Sequence, residues 1–332
     1  MKAAFLNQTG PADVIQYADL PDPVAGPGQV IVRTEAMAVN PIDVYLRSGA
    51  VAADLPMPYI PGCDLAGTVV DRGEGFSRFQ VGDRVWGSNQ GLAGRQGTFS
   101  ELCCVDEQWL YPLPDGVDAA TAAAVSLTGI TAHLGLFLHA DLQPGERVFV
   151  NGGTGGVGSA VIQLVAAAGG HVTTTVGSAE KEAQAISLGA ADVINYRSTD
   201  VAARLAELVA QAGPFHVWFE TLRNPQPETT IPLLAKRGRY ILMAGRDARP
   251  EFPVGPFYVN DLRAIGFAMF NASPDEQRDS AMKLNALLAA GQLKGHIGAE
   301  FPLAEAAAAH QLQEDNTLHG AGTLSGKIVI RP

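Results

Sequence analysis

The sequence predicts an α/β protein that combines a doubly wound parallel sheet with a second, β-rich unit. Three observations carry the expectation. Residues 147–168 read as a buried strand, a glycine turn and an apolar helix. From about residue 119 onward, strand-like and helix-like runs alternate, which is the rhythm of strand–helix–strand crossovers. Residues 1 to about 120 instead hold short β-type runs between Pro- and Gly-rich turns, the pattern of a compact, partly barrel-like β unit.

The turn comes first because it carries chemistry. Arg147-Val148-Phe149-Val150 is an apolar run of strand length, and Val157 to Ala168 continues without a breaker until Gly169-Gly170. Between them Gly153, Gly155 and Gly158, with Thr154, Gly156 and Val157 in the gaps, fit the Rossmann dinucleotide spacing G-x-G-x-x-G. One glycine lets the chain reverse, one lets backbone approach a pyrophosphate, and one lets helix and strand pack closely. The helix aims unpaired N–H groups and its positive dipole end at the phosphates. The competing reading, a glycine-rich hairpin, does not account for the strand before and the helix after.

In the first part of the chain the β-type runs are 2–6, 29–38, 64–71, 84–86 and 99–105, divided by Pro21-Asp22-Pro23, Gly26-Pro27-Gly28, Pro61-Gly62 and Gly73-Glu74-Gly75. An alanine-rich helix begins at Ala119. Strands are then expected at 148–150, 171–176, 192–195, 215–219, 239–243 and 264–270, with helices over 179–188 and 199–211. Ligands of such a sheet lie beyond the carboxyl ends of its strands, here near 152–158, 177–178, 220–224 and 243–246. Ser273-Pro274 with Glu276 is a helix cap for a helix ending near Gly291, followed by an alanine-rich helix at 304–314 and a strand at 327–330.

A length of 332 residues predicts two domains. A hydrophobic share of 47% with 17% charged residues marks a foldable globular chain, and a net charge of −11 argues against nucleic acid as a partner. The three cysteines, Cys63, Cys103 and Cys104, show no zinc spacing and no ordinary disulfide. Charges, prolines and glycines interrupt every apolar run, so no membrane span is expected, and no targeting pattern precedes residue 10, giving a cytoplasmic expectation.

The strand end at Val176-Gly177-Ser178-Ala179-Glu180-Lys181 lacks the acid that accepts the adenosine ribose in an NAD site. Small and hydroxyl groups followed by a lysine suit a 2′-phosphate, so the expected cofactor is NADP(H). A solvated helix-face lysine is the alternative for Lys181.

Five segments, 39–49, 61–67, 82–85, 151–158 and 189–196, occur in the order found in a known family. The chain resembles the medium-chain dehydrogenase/reductase superfamily, and within it the zinc-free quinone oxidoreductases related to zeta-crystallin. The resemblance implies a GroES-like β-rich catalytic domain (1–121), a Rossmann NADP-binding domain inserted in it (122–270), and a C-terminal segment (271–332) returning to the first. It assigns the pyrophosphate to Gly155, Gly156, Val157 and Gly158, and the 2′-phosphate to Gly177, Ser178, Lys181 and Tyr196. Further cofactor contacts fall on Asn224, on Met243, Ala244, Gly245 and Arg246, and on Phe267, Ala268 and Met269. Thr128 is within reach of the cofactor, and Lys327 borders the cleft. Asn40 and Tyr45 line the nicotinamide end in similar proteins.

Zinc-dependent members of the superfamily carry a cysteine near position 40 and Gly-His-Glu after the proline of the second segment. This chain has Asn40 and Gly62-Cys63-Asp64. Without a Lewis acid the electrophile must spread arriving charge through its own conjugation, so the expected substrate is a quinone or an enone. Asn40 and Tyr45 would orient its carbonyl and stabilise the developing charge, an effect of about 3 to 4 kcal/mol for a well-aimed donor. Structural alternatives stand beside these roles: Asn40-Pro41 is a good helix cap, Asp43 and Arg47 are spaced as an i,i+4 surface pair, and Ser126 and Thr128 are placed to cap a helix. The rival readings are an enone or enoyl-thioester reductase, and a low-turnover NADPH-binding structural or RNA-associated protein. The apolar edge strand 264–270 predicts a homodimer.

Overall fold

The computed structural model describes residues 1–75 and 77–332. They divide into two compact units, one of residues 1–128 with 273–332 and one of residues 129–272.

In the first unit β1 (Lys2–Phe5) pairs antiparallel with β2 (Gln16–Asp19). The long β3 (Gln29–Val39) leads through α1 (Pro41–Ser48) to β4 (Asp64–Arg72), β5 (Arg84–Gly87), β6 (Leu102–Asp106) and β7 (Leu110–Pro112). Strand β3 alternates buried and exposed positions over Arg33–Glu35 and is buried from Ala36 to Val39, as a strand that leaves a half-solvated edge for the core should be. Its pairing with β4 shifts register twice. Gly67 sits at this irregularity, where an added Cβ would lie 2.0 Å from the Arg33 carbonyl oxygen, so only glycine lets the two backbones meet. The unit continues with α2 (Ala119–His133), which crosses into the second unit.

There the strands are β8 (Arg147–Val150), β9 (His171–Val176), β10 (Asp192–Asn195), β11 (Phe215–Glu220), β12 (Leu234–Leu242) and β13 (Arg263–Gly266). They form a six-stranded sheet in the order β10-β9-β8-β11-β12-β13, parallel throughout. This 3-2-1-4-5-6 order is the doubly wound dinucleotide-binding topology, with its switch point between β8 and β11. Helices α3 (Gly156–Ala167), α4 (Ala179–Ser187), α5 (Val201–Ala212), α6 (Pro227–Thr230) and α7 (Val254–Val259) lie between the strands. Phe149, Phe215 and Trp218 cluster in the core, with 3.8 Å between the ring centroids of Phe149 and Trp218. Arg239 ties β12 to the loop before β8, donating to Glu146 at 2.5 and 2.8 Å and to the Ala140 carbonyl at 2.7 Å.

The chain returns to the first unit through α8 (Pro274–Ala289), β14 (Ile297–Pro302), α9 (Ala306–Thr317) and β15 (Lys327–Arg331). Ser273 caps α8, its hydroxyl accepting from the Glu276 N–H while the Glu276 carboxylate accepts from the Ser273 N–H. Strand β15 enters the interior of the seven-stranded sheet between β14 and β3. The fold is therefore a Rossmann-type parallel sheet with a largely antiparallel β-rich unit, in which β14 and β15 pair in parallel.

Four expectations change. Residues 119–139 form one helix long and apolar enough to cross a membrane, because the run carries no charged residue and its glycines are accommodated; 78% of its most apolar window is buried inside the fold. Ser126 and Thr128 lie inside α2 rather than before a helix, and their hydroxyls donate to the carbonyls four residues back, Ala122 and Ala124. Asp43 and Arg47 are fully buried and do not pair as a surface couple; Asp43 accepts the Asn40 N–H at 2.7 Å, and Arg47 donates to Glu314 at 2.5 Å and to the Gly10 carbonyl at 2.9 Å. The strand expected over 264–270 covers only Arg263–Gly266; a 3₁₀ turn at Met269–Asn271 follows.

Candidate functional site

In the second unit the loops after β8, β9, β11, β12 and β13 all leave the same end of a parallel sheet. The turn after β8 is built by steric necessity. Gly152 has φ +65°. A Cβ at Gly153 would meet Thr174 Oγ1 at 2.4 Å, and one at Gly158 would meet the Gly152 carbonyl oxygen at 2.2 Å. At Gly155 the nearest atom would be 3.3 Å away, a much milder conflict. Thr154 is buried, Gly156 and Val157 are half-buried, and α3 opens with no capping side chain. Its first-turn N–H groups and dipole end suit an anion.

After β9, the Ser178 hydroxyl accepts from the Lys181 N–H at 3.2 Å and caps α4. Tyr196, which follows β10, is about half exposed and lies over Gly177: a Cβ there would be 2.4 Å from its hydroxyl. Gly177, Ser178, Lys181 and Tyr196 thus form one polar rim, in which the first acid in sequence is Glu180 on the helix itself. Asn224 lines a recess of about 480 Å³ between the loops after β11 and β12. Gly245, with φ +88°, lets those loops close on each other, since a Cβ there would be 2.8 Å from the Arg223 carbonyl oxygen. Met243 and Ala244 are half-buried beside it, and Arg246 is exposed. Phe267 donates its N–H to the Leu242 carbonyl at 3.1 Å, followed by exposed Ala268 and buried Met269.

A polar network beneath the glycine turn escaped sequence reasoning. Asn151 Nδ2 donates to both carboxylate oxygens of Glu220 at 3.0 Å, and the Trp218 indole and Leu222 N–H donate to the same carboxylate. Thr175 Oγ1 accepts from the Gly152 N–H and donates to Asn151 Oδ1. Burial raises the Glu220 pKa while these donors oppose the shift. The network clamps β8, β9 and β11 at the switch point, so the turn is presented from a fixed base. No local motif announces it, because its central partners, Asn151 and Glu220, lie 69 positions apart in sequence.

The first unit holds a second concentration of chemistry. Asn40 is fully buried at the start of α1, and its amide is spanned on both sides: Nδ2 donates to Asp64 Oδ2 at 2.8 Å, and Oδ1 accepts from Lys327 Nζ at 2.5 Å. Lys327 also donates to the Val39 carbonyl at 2.6 Å, and Asp64 Oδ1 accepts from the Leu127 N–H at 3.1 Å. Asp43 and Cys63 are buried in the same cluster. Burial raises Asp43 to about 7, raises Asp64 and the Cys63 thiol, and lowers Lys327, with the Asp64 and Asp43 charges opposing the lysine shift. Two buried carboxylates thus share one ammonium, and Asp43 is close to its midpoint near neutrality. Tyr45, one turn along α1 from this cluster, is half-buried, and Thr128 is buried in α2. The sequence named Asn40 through the resemblance and Lys327 as a neighbour of the cleft, each by itself; their contact, across 287 positions, exists only through β15.

A further buried pair supports α1 from behind. His310 on α9 is fully buried against the Phe99 ring and near Arg47, and among the described residues neither ring nitrogen has a hydrogen-bond partner. Burial, with the Arg47 charge, lowers its pKa to about 3. Among the described residues no group of three or more His, Cys, Asp or Glu side chains is arranged to hold a metal ion.

Residues 26–115 match the family described as alcohol dehydrogenase GroES-like domain, and residues 156–286 match the family described as zinc-binding dehydrogenase. A quinone oxidoreductase of Homo sapiens is 30% identical over 331 residues, covering 99% of this chain and 97% of its own. A quinone oxidoreductase of Pseudomonas aeruginosa is 33% identical over 317 residues, covering 92% of this chain and 93% of its own. A mycobacterial protein solved in complex with NADPH superposes over the whole of both chains with a TM-score of 0.85 at 27% identity.

Proposed function

Because the chain belongs to the quinone oxidoreductase family of medium-chain dehydrogenases and reductases, we propose that this oxidoreductase reduces quinones or other conjugated carbonyls with NADPH and without a zinc ion. The observation that carries the reading is the carboxyl end of the parallel sheet, where the glycine turn enters an uncapped α3 beside the rim of Gly177, Ser178, Lys181 and Tyr196. Gly153 and Gly158 are required by their own neighbours. Gly155 is not, and a closely approaching pyrophosphate supplies the missing reason. In this reading Thr154, Gly155, Gly156, Val157 and Gly158 hold the pyrophosphate, and Ser178, Lys181 and Tyr196 hold a 2′-phosphate that a carboxylate would repel. Asn224, the 243–246 turn, Phe267 to Met269, Thr128 and Lys327 complete the assignment. Bound there, the reduced nicotinamide supplies a hydride.

The chain's own contribution is orientation and charge. Tyr45, half-buried on α1, is the hydroxyl assigned to the oxygen that gains negative charge. Asn40 acts by position: with both ends of its amide bonded to Asp64 and Lys327, it fixes the first turn of α1, and so the direction in which Tyr45 points. Zinc independence rests on the same bonds, since Asn40 and Asp64 are committed to Lys327 and to the α2 backbone, and burial keeps the Cys63 thiol protonated. A conjugated acceptor then supplies by delocalisation what a Lewis acid would otherwise provide.

Fluorescence titration with NADPH and NADH, followed by turnover with a benzoquinone, an alkyl enone and a short enoyl thioester, tests the reading. Tighter NADPH binding with the benzoquinone as preferred acceptor is expected. Preference for the enone or the thioester would make the enzyme an alkene reductase, and binding without oxidation by any acceptor would make it a structural NADPH binder. The same reading includes a two-fold dimer through β13, an edge strand with exposed Ala264 and half-buried Ile265. Sedimentation showing only monomers at micromolar concentration would remove that part.

A further inference from the structure

We propose a second small-molecule site in the first unit, a peripheral recess that takes a monocarboxylate with an apolar body. The recess, of about 660 Å³, is bordered by β7, the loop 78–84 and the outer face of α8, and is lined wholly by residues of this unit. Its apolar surface comes from Phe79, Leu110, Leu113 and Met282, the last 47% exposed.

Two buried donors on its wall are left over by the fold. Tyr111 is 1% exposed and its hydroxyl has no hydrogen-bond partner among the described residues. Arg278 Nε is likewise buried and unpartnered, although the same guanidinium pairs through Nη1 with Asp275 at 2.8 Å. An unmade bond on a buried polar group costs about 1 to 3 kcal/mol, which an acceptor reaching both atoms from the recess would recover. Burial raises the Tyr111 pKa, and the charges of Arg278 and Arg78 oppose the shift, which places both guanidinium groups within electrostatic range of the phenol. Arg78 and Arg84 are otherwise engaged at their far ends, Arg78 with the Glu107 carbonyl and Arg84 with the Val117 carbonyl at 3.2 Å and with Glu35 at 3.8 Å.

Arg78, Arg84 and Arg278 outnumber Asp83 and Asp115 in the lining, and what fits the two donors there above an apolar floor is an acceptor-only, negatively charged head on a hydrocarbon or aryl stem. A carboxylate accepts from Tyr111 Oη–H and Arg278 Nε–H together, and its stem covers Phe79, Leu113 and Met282. A neutral alcohol of equal length would reach the same floor but gain only an uncharged hydrogen bond. None of the residues involved belongs to the nucleotide or Asn40 clusters, so the two assignments stand or fall separately.

The test is calorimetric titration of octanoate, with 1-octanol as the uncharged control, into the full chain with and without saturating NADPH. Saturable octanoate binding is expected, the same in both states and at least about tenfold tighter than 1-octanol. Tyr111→Phe, which keeps the ring contact with Trp86, should weaken it roughly fivefold, and Arg278→Gln about tenfold or more. Arg278 is partly exposed on α8, so its variant keeps the test decisive should Tyr111→Phe fold poorly. Equal affinity for acid and alcohol, binding unchanged in Arg278→Gln, competition with NADPH, or no saturation below about 10 mM would each overturn the site.

Discussion

Replacing Lys327 with methionine removes the one ammonium shared by Asp43 and Asp64 and leaves Asn40 Oδ1 without its donor. With Asp43 near its own midpoint at pH 7, the uncompensated charge falls on Asp64, which is fully buried. Neutralising an aspartate at pH 7 costs about 4 kcal/mol, because the ordinary pKa lies about three units lower and each unit is worth about 1.4 kcal/mol. That agrees with the roughly 3 to 5 kcal/mol found when one partner of a buried ion pair is deleted. The deficit must also depend on pH: at pH 5.5 the same protonation costs only about 2 kcal/mol. Urea unfolding followed by the fluorescence of Trp86 and Trp109 in a Trp218→Phe background reports on the first unit, where both are buried and the Trp86 indole is bonded to Asn285 at 2.8 Å. Lys327→Met should lose about 4 kcal/mol at pH 7 and about half that at pH 5.5, and Asp64→Asn added to it should recover part of the loss. A deficit below about 1 kcal/mol at pH 7, or one independent of pH, would refute the description of the cluster as a buried, shared charge.

Three further outcomes follow from single residues. Ser178→Asp keeps a good N-cap for α4 but sets a carboxylate in the rim, so the NADPH dissociation constant should rise at least about tenfold while that for NADH does not; equal changes for both would detach the rim from the 2′-phosphate. Gly158→Ala drives a methyl to 2.2 Å from the Gly152 carbonyl oxygen, so the turn must shift and NADPH affinity should fall by about tenfold or more in equilibrium titration; an unchanged constant would exclude this turn as the pyrophosphate site. His310 is held at about 3 in the fold against about 6.5 unfolded, so its stability contribution is full above pH 6.5 and is lost as pH falls towards 3. Between pH 7.5 and 5.5 the loss is about 1.4 kcal/mol; His310→Phe should flatten this slope in denaturant melts, and a slope unchanged by the substitution would count against a buried neutral imidazole. Asp43 slopes the other way, its raised pKa favouring the fold below about pH 4 and costing stability as pH rises through 7, so the two variants are measured separately.

The parallel sheet was legible because its information is local. Apolar strand runs, glycine turns and caps each lie within about ten residues, and His171–Val176 and Asp192–Asn195 begin and end where the residue pattern places them. The strands that went unread, Gln16–Asp19, Leu110–Pro112 and Ile297–Pro302, are short or edge elements whose partners lie elsewhere in the chain. The same limit governs the site. Gly153, Ser178 and Asn40 stand out by spacing or by resemblance, but what holds them does not. Glu220 reads in sequence as one more acid at a strand end, and His310 as one more residue of an alanine-rich helix. Only burial and the partners brought by folding distinguish them. The Asp43–Arg47 pair shows the converse: correct helical spacing supplied a plausible surface partner, and Glu314 from α9 took its place.

Strand β15 joins the interior of a sheet whose other central members were synthesised long before it. During synthesis Asp43 and Asp64 emerge well before Lys327, the counter-ion that β15 brings to them. The nucleotide-type unit, complete by Ala272, can settle while its host is still open. A chain in which β15 has not yet docked therefore holds two carboxylates whose shared ammonium is missing, so the first unit closes electrostatically only when that strand enters the sheet.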